Sequence, residues 1–161
     1  MTGLRTTVIV ATLTLAACGQ SPAPGAPEDD SGIMTATESF RDFGTWSAHV
    51  NALVTDKLSA EVASQYGIAR STSRAMLNVS VVRNDPENGM TGMRADISVS
   101  ATNLSGQLRT LTMREIVEES AIYYIGETAI TNGETLIFTI NITPEGESAQ
   151  TLRFMQQFFA D

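Results

Sequence analysis

The sequence predicts an all-β domain, an immunoglobulin-like antiparallel β-sandwich of about seven strands with one short helix, set behind an N-terminal export segment. Three observations lead there. From Phe40 onward, apolar residues recur at every second position in run after run, the period of a half-buried strand. Clusters of Gly, Asn, Asp and Pro break those runs at short intervals. One stretch, residues 59–67, departs from period two and reads as a helix. The chain has 161 residues, a one-domain length, with 42% hydrophobic and 17% charged residues, which suits a globular protein.

Residues 1–17 have the three parts of an export signal. Arg5 is the positive n-region, residues 8–17 are apolar apart from Thr12 and Thr14, and the small residues Ala16 and Ala17 precede Cys18. The apolar run is too short to cross a bilayer as a helix. Leu15-Ala16-Ala17-Cys18 resembles the lipobox of bacterial lipoproteins at every position. The resemblance implies cleavage before Cys18 and a diacylglycerol thioether on its sulfur, so that palmitate-like acyl chains hold the protein to a membrane. Cys18 is the only cysteine, so it has no disulfide partner in the chain. Gly19 follows it, and by resemblance to lipoprotein sorting this implies the periplasmic face of the outer membrane. One acyl chain, at about 0.8 kcal/mol per buried methylene, holds a protein marginally, whereas two or three hold it stably. Residues 18–39 are expected to form a disordered tether, because Pro, Gly, Ser and acids there offer little to bury. Such a coil reaches about 25 Å root-mean-square, which keeps a domain over 40–161 close to the membrane.

Strands are expected over residues 45–53, 75–82, 93–101, 108–117, 121–128, 134–143 and 150–158. In the first, Trp46, Ala48, Val50 and Ala52 share one face and Ser47, His49 and Asn51 the other. Ser59 can cap a helix start and Gly67 can end it in the left-handed conformation. Asp85-Pro86-Glu87-Asn88-Gly89 and Asn103-Leu104-Ser105-Gly106 read as turns, and Pro144-Glu145-Gly146 as the last hairpin. Thr131-Asn132-Gly133-Glu134 carries the strongest hairpin signal, Asn-Gly. Ala121-Ile122-Tyr123-Tyr124-Ile125 is apolar on both faces, so something must cover its second face; the short helix or the segment near Tyr66 to Ile68 is the first candidate and another molecule the second.

Several phrases together resemble one bacterial family, domain-of-unknown-function family 4426. They are Phe43-Gly44-x-Trp46-x-x-His49-x-Asn51-Ala52, Tyr66-Gly67-Ile68-x-Arg70-Ser71, Leu77-Asn78-Val79-Ser80-Val81, Asn103-Leu104 with Gln107, Arg114-Glu115-Ile116-x-Glu118, and Ala121 to Ile125. In the first phrase, Trp46 and Ala48 stand where the family pattern has Tyr and Val; both swaps keep the residue character. The resemblance implies an exported, often lipidated, small β-domain. It brings no activity, cofactor or catalytic residue.

The formal charge is −8; cleavage before Cys18 removes Arg5, leaving 9 basic side chains against 18 acids and a net charge of −9. A nucleic-acid partner is excluded by that sign, since phosphate binding needs a basic face. His49 is the only histidine. A hydrolytic triad would use it as base with Ser71 or Ser73, yet the chain has no Gly-x-Ser-x-Gly elbow, and a structural hydrogen bond is the simpler expectation. One histidine and one lipidated cysteine make a poor zinc set. Asp85, Glu87 and Asn88 lack calcium-loop spacing and read as a solvated turn. Glu115, Glu118 and Glu119 lie close along one strand, with Glu118 off the parity of the other two, so they are not a facing glycosidase pair. An ion pair with Arg70 or Arg114 is the better reading. Arg70, turned into the domain after Gly67, is expected to pair with Glu115 or Glu118.

The functional expectation is a membrane-anchored envelope lipoprotein of the periplasm whose domain binds or assembles with a protein or cell-wall partner without catalysis and without a cofactor. The residues placed at its structural or partner site are His49, Asn51, Arg70, Glu115, Glu118, Tyr123 and Tyr124. The alternatives are a small periplasmic hydrolase using His49 or the glutamates, and a small-ligand carrier using the aromatic patch at Tyr123 and Tyr124.

Overall fold

The computed structural model describes residues 32–87, 89–119 and 121–159. The export signal, Cys18 and the tether up to residue 31 lie outside the described residues. Eleven strands run in order: β1 (Ile33–Thr35), β2 (Phe40–Asp42), β3 (Trp46–Val54), β4 (Arg74–Asp85), β5 (Gly89–Gly92), β6 (Ala95–Asn103), β7 (Leu108–Leu111), β8 (Arg114–Glu118), β9 (Ala121–Ala129), β10 (Thr135–Pro144) and β11 (Gln150–Gln157). Between β3 and β4 come a 3-10 turn, Thr55–Lys57, and one helix, α1, Ala60–Gln65. The first sheet has the order β1-β11-β10-β6-β7 and the second β2-β3-β4-β9-β8, with β5 on β4 beyond β9. All pairings are antiparallel except β1 on β11. The all-β sandwich expected from period two is therefore the fold; the strand number exceeds seven because short edge segments add to the main strands.

Alternation builds the core directly. Val50, Leu77, Val79 and Val81 from the second sheet meet Leu136, Phe138, Ile140 and Phe154 from the first, all essentially inaccessible to solvent. Phe138 lies between two other rings, 6.3 Å from both Phe154 and Phe158, the latter edge-on.

Three expectations are corrected. Residues 33–39 are not tether: Ile33–Thr35 pairs along β11 and Met34 is fully buried. Two large apolar side chains, Ile33 and Met34, are enough to be drawn onto a sheet edge. The single strand expected over 108–117 is two strands in different sheets, since β7 pairs β6 and β8 pairs β9. The chain crosses at Met113, whose sulfur fills the space that a Cβ on Gly126 would need. Period two records which side of a strand faces inward, not which sheet the strand joins. For the same reason Asn132-Gly133 is not a hairpin between β9 and β10, which belong to opposite sheets. The local turn forms, with Gly133 at φ +75° and Glu134 N–H donating to the Thr131 carbonyl, but it passes the chain between sheets and is fastened to the end of β11 through Gly133 N–H and the Phe158 carbonyl, 2.8 Å apart. The expected turns at 103–106 and 144–146 do form hairpins, joining β6 to β7 and β10 to β11.

Candidate binding groove

The outer face of the second sheet carries the candidate site. Cross-strand register aligns Phe40, His49, Ser80, Tyr123 and Ile116 in one row across β2, β3, β4, β9 and β8. The next row aligns Asn51, Asn78, Ile125 and Arg114. Side chains on such a face are alternate residues of their strands, so these rows are fixed once the core residues point inward.

The strap from Thr55 to Ser71 covers part of this face, and its local chemistry explains its path. The Ser59 hydroxyl accepts from Val62 N–H at 3.1 Å and starts α1. At the other end Gly67 takes φ +62°, while Gly67 N–H donates to the Ser64 carbonyl and Ile68 N–H to the Ala63 carbonyl. That paired closure turns the chain sharply and drives Ile68 down onto the sheet. Ile68, Met76 and Ile125 form a second buried cluster, with Leu53, Leu58, Tyr66, Ile116 and Tyr123 packed around it. The apolar outer face of β9 is therefore covered by the chain itself, chiefly by the segment from Tyr66 to Ile68. Thr55, fully buried, clasps the strap's two ends: its hydroxyl donates to the Ala69 carbonyl at 2.9 Å and accepts from Ser71 N–H at 3.0 Å. Nothing in the local sequence marks this threonine, because its partners arrive from 14 and 16 residues away.

A groove of about 210 Å³ remains open between α1 and the sheet. Val62 and Tyr66 form one wall, Ile116 and Glu118 the other, and Met76 and Ile125 the floor. The Tyr66 hydroxyl donates to Glu118 Oε1 and holds the two walls together at one point. That hydrogen bond, more than burial, raises the Tyr66 phenol above its ordinary pKa. Arg114 donates to the Tyr66 carbonyl at 2.8 Å and makes a second tie. Asn78 lines the groove and also a neighbouring depression of about 180 Å³ formed with His49, Asn51 and Ser80. Its Oδ1 is buried and has no hydrogen-bond partner among the described residues.

The structure sorts the seven sequence-predicted residues into three places. His49, Asn51, Glu118 and Tyr123 share the outer face. His49 stacks on Phe40 with ring centroids 5.7 Å apart, and the hydroxyls of Ser71 and Ser73 bond each other at 2.9 Å. Tyr124 and Glu115 belong elsewhere: Tyr124 is buried between the sheets, its hydroxyl accepting from Ala95 N–H at 2.8 Å and donating to Glu115 Oε2 at 3.2 Å. Burial, reinforced by Glu115, holds this phenol above its usual pKa. Glu115 also takes Arg94 at 2.5 Å. Arg70 does not pair with either glutamate. Its guanidinium donates to the Asp56 carbonyl at 2.7 Å, so it braces the strap internally, and the tie from strap to sheet comes from Arg114. Gly67 turns Ile68 onto the sheet, but Ala69 and Arg70 after it stay exposed, and the glutamates already hold nearer donors. In the turn after β4, Asp85 Oδ1 accepts from Glu87 N–H at 2.8 Å, and Asn88 lies outside the described residues.

The fold is an all-β sandwich of two sheets, and the strap covers part of the second sheet's outer face and leaves a small apolar groove beside it. Residues 40–161 match the model of the domain of unknown function DUF4426, and the chain belongs to that family. It is similar to the crystal structure of a DUF4426 family protein from Pseudomonas aeruginosa PAO1, with 33% identity and a TM-score of 0.64 over 76% of this chain and 94% of that one. No curated protein matches the sequence.

Proposed function

We propose that this protein is a lipid-anchored lipoprotein of the bacterial envelope, held at the periplasmic face of the outer membrane through Cys18, and that its domain is a non-catalytic binding or assembly module. The groove under α1 carries the binding part of this reading. It is mainly apolar, is edged by two tyrosines and one carboxylate, and places no acid–base pair opposite a nucleophile among the described residues. Apolar grooves with a few polar groups at the rim are where small domains take partners. The lipobox-like Leu15-Ala16-Ala17-Cys18 supports the anchor. Affinity capture of the lipidated protein from its own envelope, against the soluble Cys18→Ala form, tests both parts. A partner retained in a groove-dependent way, lost with Val62→Glu, is the expected result. Labelled palmitate incorporated equally into wild type and Cys18→Ala would refute the anchor.

The depression at His49, Asn51 and Ser80 favours one second reading, a small hydrolase using His49 as base. His49→Ala in a protein that melts normally separates the two: full complementation of a deletion phenotype supports the binding module, and its loss supports the hydrolase.

A further inference from the structure

We infer that the free edge of β8, with the groove beside it, takes an extended basic peptide as an added strand. This deepens the binding role proposed above and rests on it.

The sheet edges are not equivalent. The first sheet ends in β1 and β7, with 3 and 4 residues, and the second in β2 and β8, with 3 and 5, and in the side branch β5, with 4. Very short edges protect a sandwich from unwanted strand pairing. β8 is the longest of these edge strands, and all five of its residues are in register with β9, so its backbone is held extended. Among the described residues its other side makes no backbone hydrogen bond. It is also the edge that borders the groove, since Ile116 and Glu118 of β8 are one wall and α1 supplies the other. An edge strand beside a groove walled by a helix is the geometry of strand addition: main-chain bonds give affinity, and alternate side chains enter the groove. A peptide lying on β8 sends one side chain toward Val62 and Tyr66 and the next toward Val117, which is 54% exposed.

Charge selects the occupant. Glu118 accepts a neutral phenol, and neither it nor Glu119 has a cationic partner among the described residues. Arg114 is already committed to the Tyr66 carbonyl, and Arg94 to Glu115. Lysine or arginine flanking an apolar centre therefore complements this edge. A second copy of a chain with formal charge −8 does not, because its approach is opposed by the same field.

The test uses the full chain in detergent micelles and a capped, labelled hexapeptide, Lys-Lys-Val-Val-Lys-Lys, followed by fluorescence anisotropy and amide hydrogen exchange. A control, Lys-Lys-Pro-Val-Lys-Lys, keeps the charge but lacks one ladder donor. The first peptide is expected to bind at least tenfold tighter than the control and to slow exchange at residues 114–119 at least tenfold. Val62→Trp, at a half-open helix position, fills the groove and is expected to weaken binding at least fivefold at unchanged melting temperature; Val62→Lys, which sets a like charge against the peptide, does the same if the indole disturbs α1. Equal binding of both peptides, or protection confined to another edge, overturns strand addition. Protection of 114–119 that grows with protein concentration alone assigns the edge to a second copy and also overturns it. Absence of peptide binding overturns it too, while a partner still captured through the groove leaves the binding module intact.

Discussion

The two faces of the second sheet are built from the same strands and are finished differently. The inner face is closed: Val50, Leu77 and Val79 meet the phenylalanines of the opposite sheet in one large buried cluster. The outer face is covered by a strap whose Ile68 joins Met76 and Ile125 of the sheet in a cluster of three buried residues. The two buried side-chain oxygens without partners among the described residues, Asp56 Oδ1 and Asn78 Oδ1, belong to the strap and to the strand beneath it. Burying such an atom unpaired costs about 1–3 kcal/mol. A well-made polar site exists elsewhere for contrast. Asn103 accepts from Ser105 N–H and Gln107 N–H and donates to the side chains of Gln107 and Glu134, so every group is used. The difference teaches that stability is concentrated between the sheets and at the Asn103 turn, whereas the outer face is held by few contacts and left open at one side.

Four measurements probe the two faces. The largest effect is expected inside. Phe138→Ala removes a ring flanked by two others and should cost about 3–5 kcal/mol in chemical denaturation. A loss below about 1 kcal/mol would mean that the inner layer is not where stability resides.

Next comes the turn that joins the sheets. Arg109 reaches Glu134 at 2.6 and 3.3 Å, and Glu134 is only 8% exposed at its side chain. Arg109→Ala strands that carboxylate and should cost about 2–3 kcal/mol at neutral pH. Arg109, helped by Asn103 and Thr131 N–H, depresses the Glu134 pKa from 4.5 to about 2. A depressed carboxylate stabilises the fold fully above its unfolded pKa and loses that contribution as pH falls through the folded one. Stability of the wild type should therefore decline between pH 4.5 and about 2, and Arg109→Ala should flatten that decline. Identical acid limbs for the two proteins would contradict the assignment.

A smaller effect of opposite sign is expected on the outer face. Asn78→Leu keeps the approximate shape and removes the orphan oxygen, so the melting temperature should rise, by about 1 kcal/mol equivalent. A loss of stability would show that Asn78 is satisfied in solution.

The smallest global effect belongs to the strap ties. Tyr66→Phe and Arg114→Ala should each change unfolding free energy by less than about 1 kcal/mol. Both should nevertheless speed amide exchange across residues 60–68, because only the strap opens. Unchanged local exchange would mean that the Ile68 cluster alone holds it down.

Much of this was legible in the sequence. Alternation placed Trp46, Ala48, Val50 and Ala52 of β3 on one face, and all four are buried, since a period of two needs no knowledge of partners. Ser59 and Gly67 marked both ends of α1 through groups that act within one turn of chain. The two-sided apolar run at Tyr123 and Ile125 announced a cover, and the cover lies where Tyr66 and Ile68 suggested. Local rules reached as far as bonds between near neighbours.

The remaining features depend on partners distant in the chain. Period two could not say that the run from Leu108 to Val117 changes sheets at Met113, nor that Asn132-Gly133 joins opposite sheets. It could not assign the charges: Arg70 and Arg114 are equivalent as sequence, yet Arg114 makes the bond to the Tyr66 carbonyl because β8 passes beside it. Tyr123 and Tyr124 are adjacent in the chain, and the register of β9 turns one toward the groove and the other into the space between the sheets. Side-chain chemistry and spacing determined which groups seek burial or a partner; the packing of two sheets determined which of them meet.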